Sequence, residues 1–214
     1  MTLRSINPIV LVLLISDVIL YTGLGLVEPI LVLFLKDLDG ASIFKIGLAS
    51  SIFLLTKSLV QLPFSKTVDS KEAHFFDKHK HFSLPFIYIG IFTIAMVPFM
   101  YLFVENMHQV YLVEFIYGCA SGIAYPAWMK MWESHMDKYH ESYTWTLYST
   151  LVGFVTAVSA TIGAYMAEHL GFRTTFMVVG LITSIGALIL LYLLNEQKSG
   201  RLVLRLNPNK KAKK

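Results

Sequence analysis

Charged residues and cysteine are scarce in this chain of 214 residues, and each scarcity excludes a class of protein. Only 15% of the residues are charged, against roughly 25% in soluble domains, which excludes a typical water-soluble globule. The single cysteine, Cys119, has no partner for a disulfide within the chain. The sequence also lacks a phosphate-binding glycine loop, a nucleophile elbow and a cofactor fingerprint, so it predicts neither an enzyme nor a cofactor.

Apolar residues, by contrast, make up 55% of the chain and fall into blocks. Each block has about the 20 residues that a helix needs to cross roughly 30 Å of hydrocarbon. In lipid a helix of this length pairs its backbone polar groups internally, so barrel strands are not expected. We predict an all-α polytopic membrane protein, with six transmembrane helices in residues 1–195 and a basic tail over residues 196–214. The blocks are Ile9–Leu35, Ile43–Leu62, Leu84–Val104, Gln109–Met131, Tyr143–Ala167 and Phe172–Leu194.

Basic residues are distributed unequally between the two sides of the predicted bundle. The side with the short turns 36–42, 105–108 and 168–171 carries only Lys36, Lys45 and Arg173. Apart from Lys57, which lies within a block, all other Lys and Arg residues lie near the N-terminus, the longer connections or the tail. Because basic residues favour the cytoplasmic side, both termini are expected in the cytoplasm of a multi-pass cell-membrane protein. The tail is expected to face lipid headgroups, and no nucleic-acid partner is predicted.

Four charged residues lie well inside the apolar blocks, away from the block ends, where charges are costly and are commonly functional or interhelical. Asp17 and Glu28 are 11 residues apart, which places them on one face of the first helix with Tyr21 between them. Depth along the helices predicts an inner layer with an ion pair between Asp17 and Lys57. It predicts an outer layer with Glu28 and Glu114, where carboxyl groups are candidates for proton coupling. Alternatively, Asp17 and Lys57 only neutralise each other's charge and have no further function, and Glu28 lies close enough to the outer surface to be hydrated.

A polar and aromatic stripe follows Glu114 along the fourth block, where Tyr117 and Tyr125 are candidates for lining a cavity. The same block contains Gly118 and Gly122, a GxxxG pair that allows two helices to approach closely. Ordinary helix packing would account for that pair equally well.

Three stretches resemble the N-terminal six-helix half of the major facilitator superfamily, and the resemblance covers nearly the whole chain. Residues 23–31 are similar to the glycine and proline end of its first helix. Residues 61–69 are similar to its signature loop, G-x-L-x-D followed by basic residues, although Ser65 replaces the glycine and Ser70 a basic residue. Residues 114–118 and 125–128 are similar to its fourth helix, with Glu114 in place of an arginine.

The resemblance implies a secondary carrier that moves a small solute by alternating access between two halves. Protons are a candidate coupling ion because of the carboxyl groups inside the spans, whereas the fifth helix lacks the glycine and proline element of the family's proton-driven antiporters. Because the resemblance covers one half, we expect two copies of the chain to form a homodimer in the lipid bilayer. The residues expected along the substrate and proton pathway are Asp17, Tyr21, Glu28, Lys57, Glu114, Tyr117 and Tyr125.

The resemblance also gives Lys66 and Asp69 a role as a conformational latch. In the family the signature-loop aspartate lies near the start of a helix in the opposite half. Here that helix would be the fifth helix of the second copy, which begins near Ser142 and Tyr143. A carboxylate is stabilised at a helix N-terminus, so this contact would hold one side closed. A solvated loop aspartate is the alternative.

The sequence is also compatible with two other functions and with one other kind of site. The chain could be a non-transporting accessory subunit, or one chain of a split transporter whose second half is encoded separately. Histidine and acidic residues cluster in residues 74–81 and 135–141 and are of a type that binds zinc. Because nothing fixes their geometry, we interpret them as solvated loop residues and predict no metal site.

Overall fold

The structure, a computed structural model, describes residues 6–69 and 84–198, and every regular element in those ranges is a helix. This confirms the all-α prediction, and each predicted block overlaps one long helix, which in most cases extends beyond the block. The helices are α1 (Pro8–Val27), α2 (Leu31–Lys36), α3 (Ile43–Val68), α4 (Leu84–Tyr101), α5 (Met107–His135), α6 (Glu141–Leu170) and α7 (Phe172–Lys198).

Within the described ranges, four helices are long and apolar enough to cross a membrane, namely α1, α3, α6 and α7. Helix α4 is apolar but shorter over its described residues. Helix α5 has 29 residues but is more polar, since it carries Glu114, Lys130 and Glu133. The chain therefore has the composition of a helical membrane protein.

Side-chain caps determine where several helices begin. Asn7 Oδ1 accepts the Ile9 N–H at 2.9 Å, and Pro8 occupies the first turn of α1. Ser42 Oγ caps α3 in the same way, and Asn106 caps α5. These caps satisfy N–H groups that have no partner within their own helix.

The first apolar block, Ile9–Leu35, contains two helices rather than one continuous helix. Helix α1 ends at Val27, and helix α2 begins at Leu31. Pro29 has no N–H to donate and its ring crowds the preceding turn, so the helix breaks here. The Ile30 N–H donates to the Val27 carbonyl at 3.0 Å, a tighter turn that bridges the break. The break leaves Glu28 exposed where α1 meets α2.

The six long helices pack in a pattern that repeats within the chain. Helix α1 packs against α6 and α7, and helix α5 packs against α3 and α4. In chain order, α1, α3 and α4 correspond to α5, α6 and α7. When each helix is replaced by its counterpart, the α1–α6 pair becomes the observed α5–α3 pair, and the α1–α7 pair becomes the observed α5–α4 pair. The contact between α4 and α7 is converted into itself. This is the pattern that two related three-helix units produce.

Glycines permit the closest helix crossings. A Cβ atom added at Gly118 would lie 2.7 Å from the Phe53 carbonyl oxygen of α3, and one added at Gly122 would lie 2.9 Å from the Lys57 oxygen. The predicted GxxxG contact is therefore confirmed, with α3 as its partner. On the other side of the bundle, a Cβ at Gly163 of α6 would collide with the backbone of Leu26 in α1.

The short turns share one end of the bundle, as predicted. Asp39 and Asn106 form an isolated bridge between two of these turns. Arg173, beside the third turn, donates from Nη2 to the Leu102 carbonyl at 3.5 Å. We call this the turn end. The opposite end, where α3 finishes at Asp69, is called the Asp69 end.

The helices differ in how much of their surface is covered. Helix α1 is the most buried of the membrane-length helices, whereas α3 and α6 expose large apolar side chains. Leu59 on α3 is 73% exposed and Phe154 on α6 is 68% exposed. Apolar surface of this extent is typical of helices that contact lipid or another helical unit.

Candidate functional site: two adjoining cavities

Two cavities adjoin between α1, α3, α4 and α5, and polar side chains line both. The first, about 150 Å³, is called the Asp17 cavity, and the second, about 410 Å³, is called the Glu114 cavity. Tyr21, Leu24, Phe53 and Tyr117 line both and so form a shared wall. The break after α1 and the close approach of α3 and α5 at Gly118 and Gly122 thus place residues that are distant in sequence around the same two cavities.

The Asp17 carboxylate is buried, and Tyr148 of α6 satisfies it. The Tyr148 hydroxyl donates to Asp17 Oδ2 at 3.0 Å. The predicted ion pair with Lys57 is not formed, although both residues line this cavity. Instead the Lys57 ammonium lies over the rings of Tyr125 and Phe53, 5.4 Å and 5.9 Å from their centroids. The electron-rich ring faces attract the ammonium, so Lys57 has a partner without reaching Asp17.

An aromatic cluster packs behind Asp17. It contains all three tryptophans of the chain, Trp128, Trp132 and Trp145, together with Tyr148. The rings of Trp128 and Trp132 stack with centroids 5.1 Å apart, and Tyr148 lies 5.2 Å from Trp132. This rigid packing fixes the Tyr148 hydroxyl where it meets Asp17.

The Glu114 cavity contains two carboxyl groups. Glu114 is buried and accepts a hydrogen bond from the Tyr101 hydroxyl of α4. Glu28, from the break after α1, lines the same cavity and is exposed. The remaining lining is largely apolar and aromatic, and it includes the ring of Phe176 from α7. The structure thus brings together Glu28 and Glu114, which lie far apart in the sequence.

The predicted pathway tyrosines have different positions. Tyr21 and Tyr117 belong to the shared wall, where the Tyr117 ring stacks on Phe53 with centroids 4.4 Å apart. Of the two adjoining cavities, Tyr125 lines the Asp17 cavity and not the Glu114 cavity. It also lines a third cavity, of about 190 Å³, at the Asp69 end.

The predicted latch residues lie at the Asp69 end. Asp69 caps the C-terminus of α3, and its Oδ1 atom is 2.8 Å from Nζ of Lys130 on α5. Lys66 is exposed in the last turn of α3. The contact between Asp69 and a second copy remains a prediction, since the described partner of Asp69 belongs to the same chain.

Within the described ranges, no three His, Cys, Asp or Glu side chains are placed to hold a metal ion. His140 Nδ1 lies 2.9 Å from Asp137 Oδ2 in the turn between α5 and α6. A hydrogen bond from the Tyr139 N–H, and then that histidine, lower the pKa of Asp137. The other cluster, with His74, His79 and His81, lies outside the described residues.

Three polar partners were missed from the sequence: Tyr148, Tyr101 and Lys130. Tyr148 lies 131 residues from Asp17, and a tyrosine near one end of a span is also typical of a membrane interface. In the sequence, Lys130 indicates only the orientation of the chain in the membrane. A pattern within one helix carries no information about which helix packs opposite it.

The membrane-length helices and the polar cavities between them define a helical membrane protein. A family model described as the Major Facilitator Superfamily matches residues 13–212, and the chain belongs to that superfamily. This membership makes it a membrane transporter of the major facilitator type. No curated protein sequence matches the chain at a significant level.

Proposed function

We propose that the chain is one six-helix half of a secondary carrier that moves a small solute by alternating access. In this proposal α4 and α5 cross the membrane with the four other long helices, and both termini are cytoplasmic. The two cavities form one wall of the solute pathway. The observation that carries the proposal is the convergence of Asp17, Lys57 and Glu114, from three helices, on adjoining cavities.

The second wall comes from a second copy of this chain. Glu28 and Lys57 lie at cavities that open to the surface of the bundle, and such groups are costly when they face hydrocarbon. Helices α3 and α6 expose apolar side chains, which suits them to contact a second helical unit. A twofold axis along the membrane normal would place two polar faces against each other and remove both from lipid.

Alternating access requires a contact that stabilises one closed state. Asp69 is suited to this role because its carboxylate is exposed at the Asp69 end and already pairs with Lys130. In the proposed dimer it would also approach the start of α6 in the second copy, near Ser142. Protonation of the cavity carboxyl groups would couple this motion to a proton gradient.

Thiol accessibility tests this function without knowledge of the solute. In a Cys119→Ser background, Ser50→Cys reports on the Glu114 cavity and Ser65→Cys on the cavity at the Asp69 end. We expect Asp69→Asn to raise the labelling rate at Ser65→Cys and to lower it at Ser50→Cys, measured with an impermeant thiol reagent in proteoliposomes.

The control is Asp37→Asn, which removes an exposed carboxylate from the turn end. It should leave both labelling rates unchanged. Equal rates for Asp69→Asn and the unmodified background at both positions would contradict the alternating-access proposal and would favour a static accessory subunit.

A further inference from the structure

The Glu114 cavity has the dimensions and the lining of a ligand site. Its volume of about 410 Å³ lies within the range of about 300–1,000 Å³ found for small-molecule pockets. Leu24, Leu54, Val97 and Val179 contribute apolar walls, and Tyr117 and Phe176 contribute rings. A ligand that fills such a site is itself largely apolar.

The charges around this cavity are of one sign. Glu28 and Glu114 both line it, and no Lys, Arg or His is among its described lining residues. In the neighbouring Asp17 cavity, an acidic residue, Asp17, and a basic residue, Lys57, line the wall together. The excess of acidic over basic side chains therefore belongs to the Glu114 cavity.

A second observation indicates which charged group these rings accept. The Lys57 ammonium already lies over the rings of Phe53 and Tyr125, and Phe53 is part of the wall that both cavities share. Aromatic faces bind cations in this way, and they bind organic ammonium groups best where water is excluded. Lys57 thus shows, within the protein, the contact that a cationic ligand would make.

We propose that the solute of this carrier is a lipophilic organic cation, bound in the Glu114 cavity between the aromatic wall and the carboxylates of Glu28 and Glu114. This inference rests on the proposed transport function and adds the substrate class. Tyr101 is a positioning residue, since its hydroxyl holds the Glu114 carboxyl group against α4.

Two ions of nearly equal size and opposite charge test the proposal. The full-length protein in lipid nanodiscs is titrated with tetraphenylphosphonium, and tetraphenylborate is the matched anion. Empty nanodiscs correct for partition into lipid. We expect saturable binding of the cation only, and a loss of affinity of about tenfold or more in Glu114→Gln, because a charged contact is removed.

Glu28→Gln is the second variant, since Glu28 is exposed and its replacement does not disturb a buried contact. It should weaken cation binding in the same direction. Glu105→Gln, an exposed carboxylate in the turn end outside the cavity lining, is the matched control and should bind as the unmodified protein does.

Binding of the anion as tight as that of the cation would overturn the proposal, and so would unchanged cation affinity in Glu28→Gln and a folded Glu114→Gln. If neither ion binds while the thiol test shows two access states, the substrate class is wrong and the transport function stands. If the cation binds while both labelling rates stay constant, the transport function is wrong and the cation site stands.

Discussion

At the scale of single residues, the contact between Tyr148 and Asp17 is the clearest link between α6 and α1. Asp17 is 6% exposed, and Tyr148 supplies its described hydrogen bond. A buried carboxyl group without a partner is costly, so this hydroxyl stabilises the fold as well as the cavity.

We predict that Tyr148→Phe lowers the free energy of unfolding by about 1–3 kcal/mol, because it leaves the buried Asp17 carboxyl group without its hydrogen bond. The measurement is unfolding in detergent by a denaturant titration. Tyr165→Phe on the same helix is the matched control, since Tyr165 is exposed, and it should change the free energy by less than about 0.5 kcal/mol.

A double-mutant cycle with Asp17→Asn separates this contact from general packing. The effects of Tyr148→Phe and Asp17→Asn should not add, because both remove the same interaction. Strict additivity of the two substitutions would contradict the assignment of Tyr148 as the partner of Asp17.

At the scale of helices, the crossing of α1 and α6 depends on one glycine. A Cβ at Gly163 would meet the backbone of Leu26, whereas a Cβ at Gly153, ten residues earlier on the same helix, has nothing within 4 Å. The two positions therefore share residue type and helix and differ in their surroundings.

Gly163→Ala is expected to destabilise the protein by about 1–3 kcal/mol, since the two helix backbones must separate to admit the methyl group. Gly153→Ala should be neutral or stabilising by up to about 1 kcal/mol, because alanine favours a helix more than glycine does. Thermal unfolding of both variants in one detergent gives the comparison. Equal destabilisation at the two positions would be inconsistent with the described crossing.

The sequence predicted most of the elements but not their partners. The apolar blocks are local signals, and one long helix follows each of them. The break at Pro29 interrupts a block that hydropathy alone reads as continuous. Partners such as Tyr101 for Glu114 depend on which helices become neighbours, and no periodicity within one helix encodes that choice.

The same reason explains the ion pair that was wrongly predicted. Their similar depth placed Asp17 and Lys57 in one layer, and the structure does place both at one cavity. The depth of a residue along its helix does not fix the direction in which its side chain points around the helix axis. It also does not show which other groups compete for the same side chain. The rings of Phe53 and Tyr125 on one side and the Tyr148 hydroxyl on the other provide the actual partners.

At the scale of the whole molecule, the polar cavities and the exposed apolar faces of α3 and α6 have a common explanation. Both are surfaces that a second six-helix unit would cover. The proposed twofold dimer would cover both surfaces with one set of contacts and would give the pathway two equivalent walls.

The most direct test of this account is the distance between spin labels on two copies. In a Cys119→Ser background in lipid nanodiscs, one label per chain is placed at Lys138, in the turn between α5 and α6, or at Glu105, at the turn end. We predict defined distances at both positions that weaken on dilution with unlabelled chains and change in opposite directions between pH 5.5 and pH 8. The absence of any dipolar signal at both positions would contradict the account, because no second copy would then close the pathway.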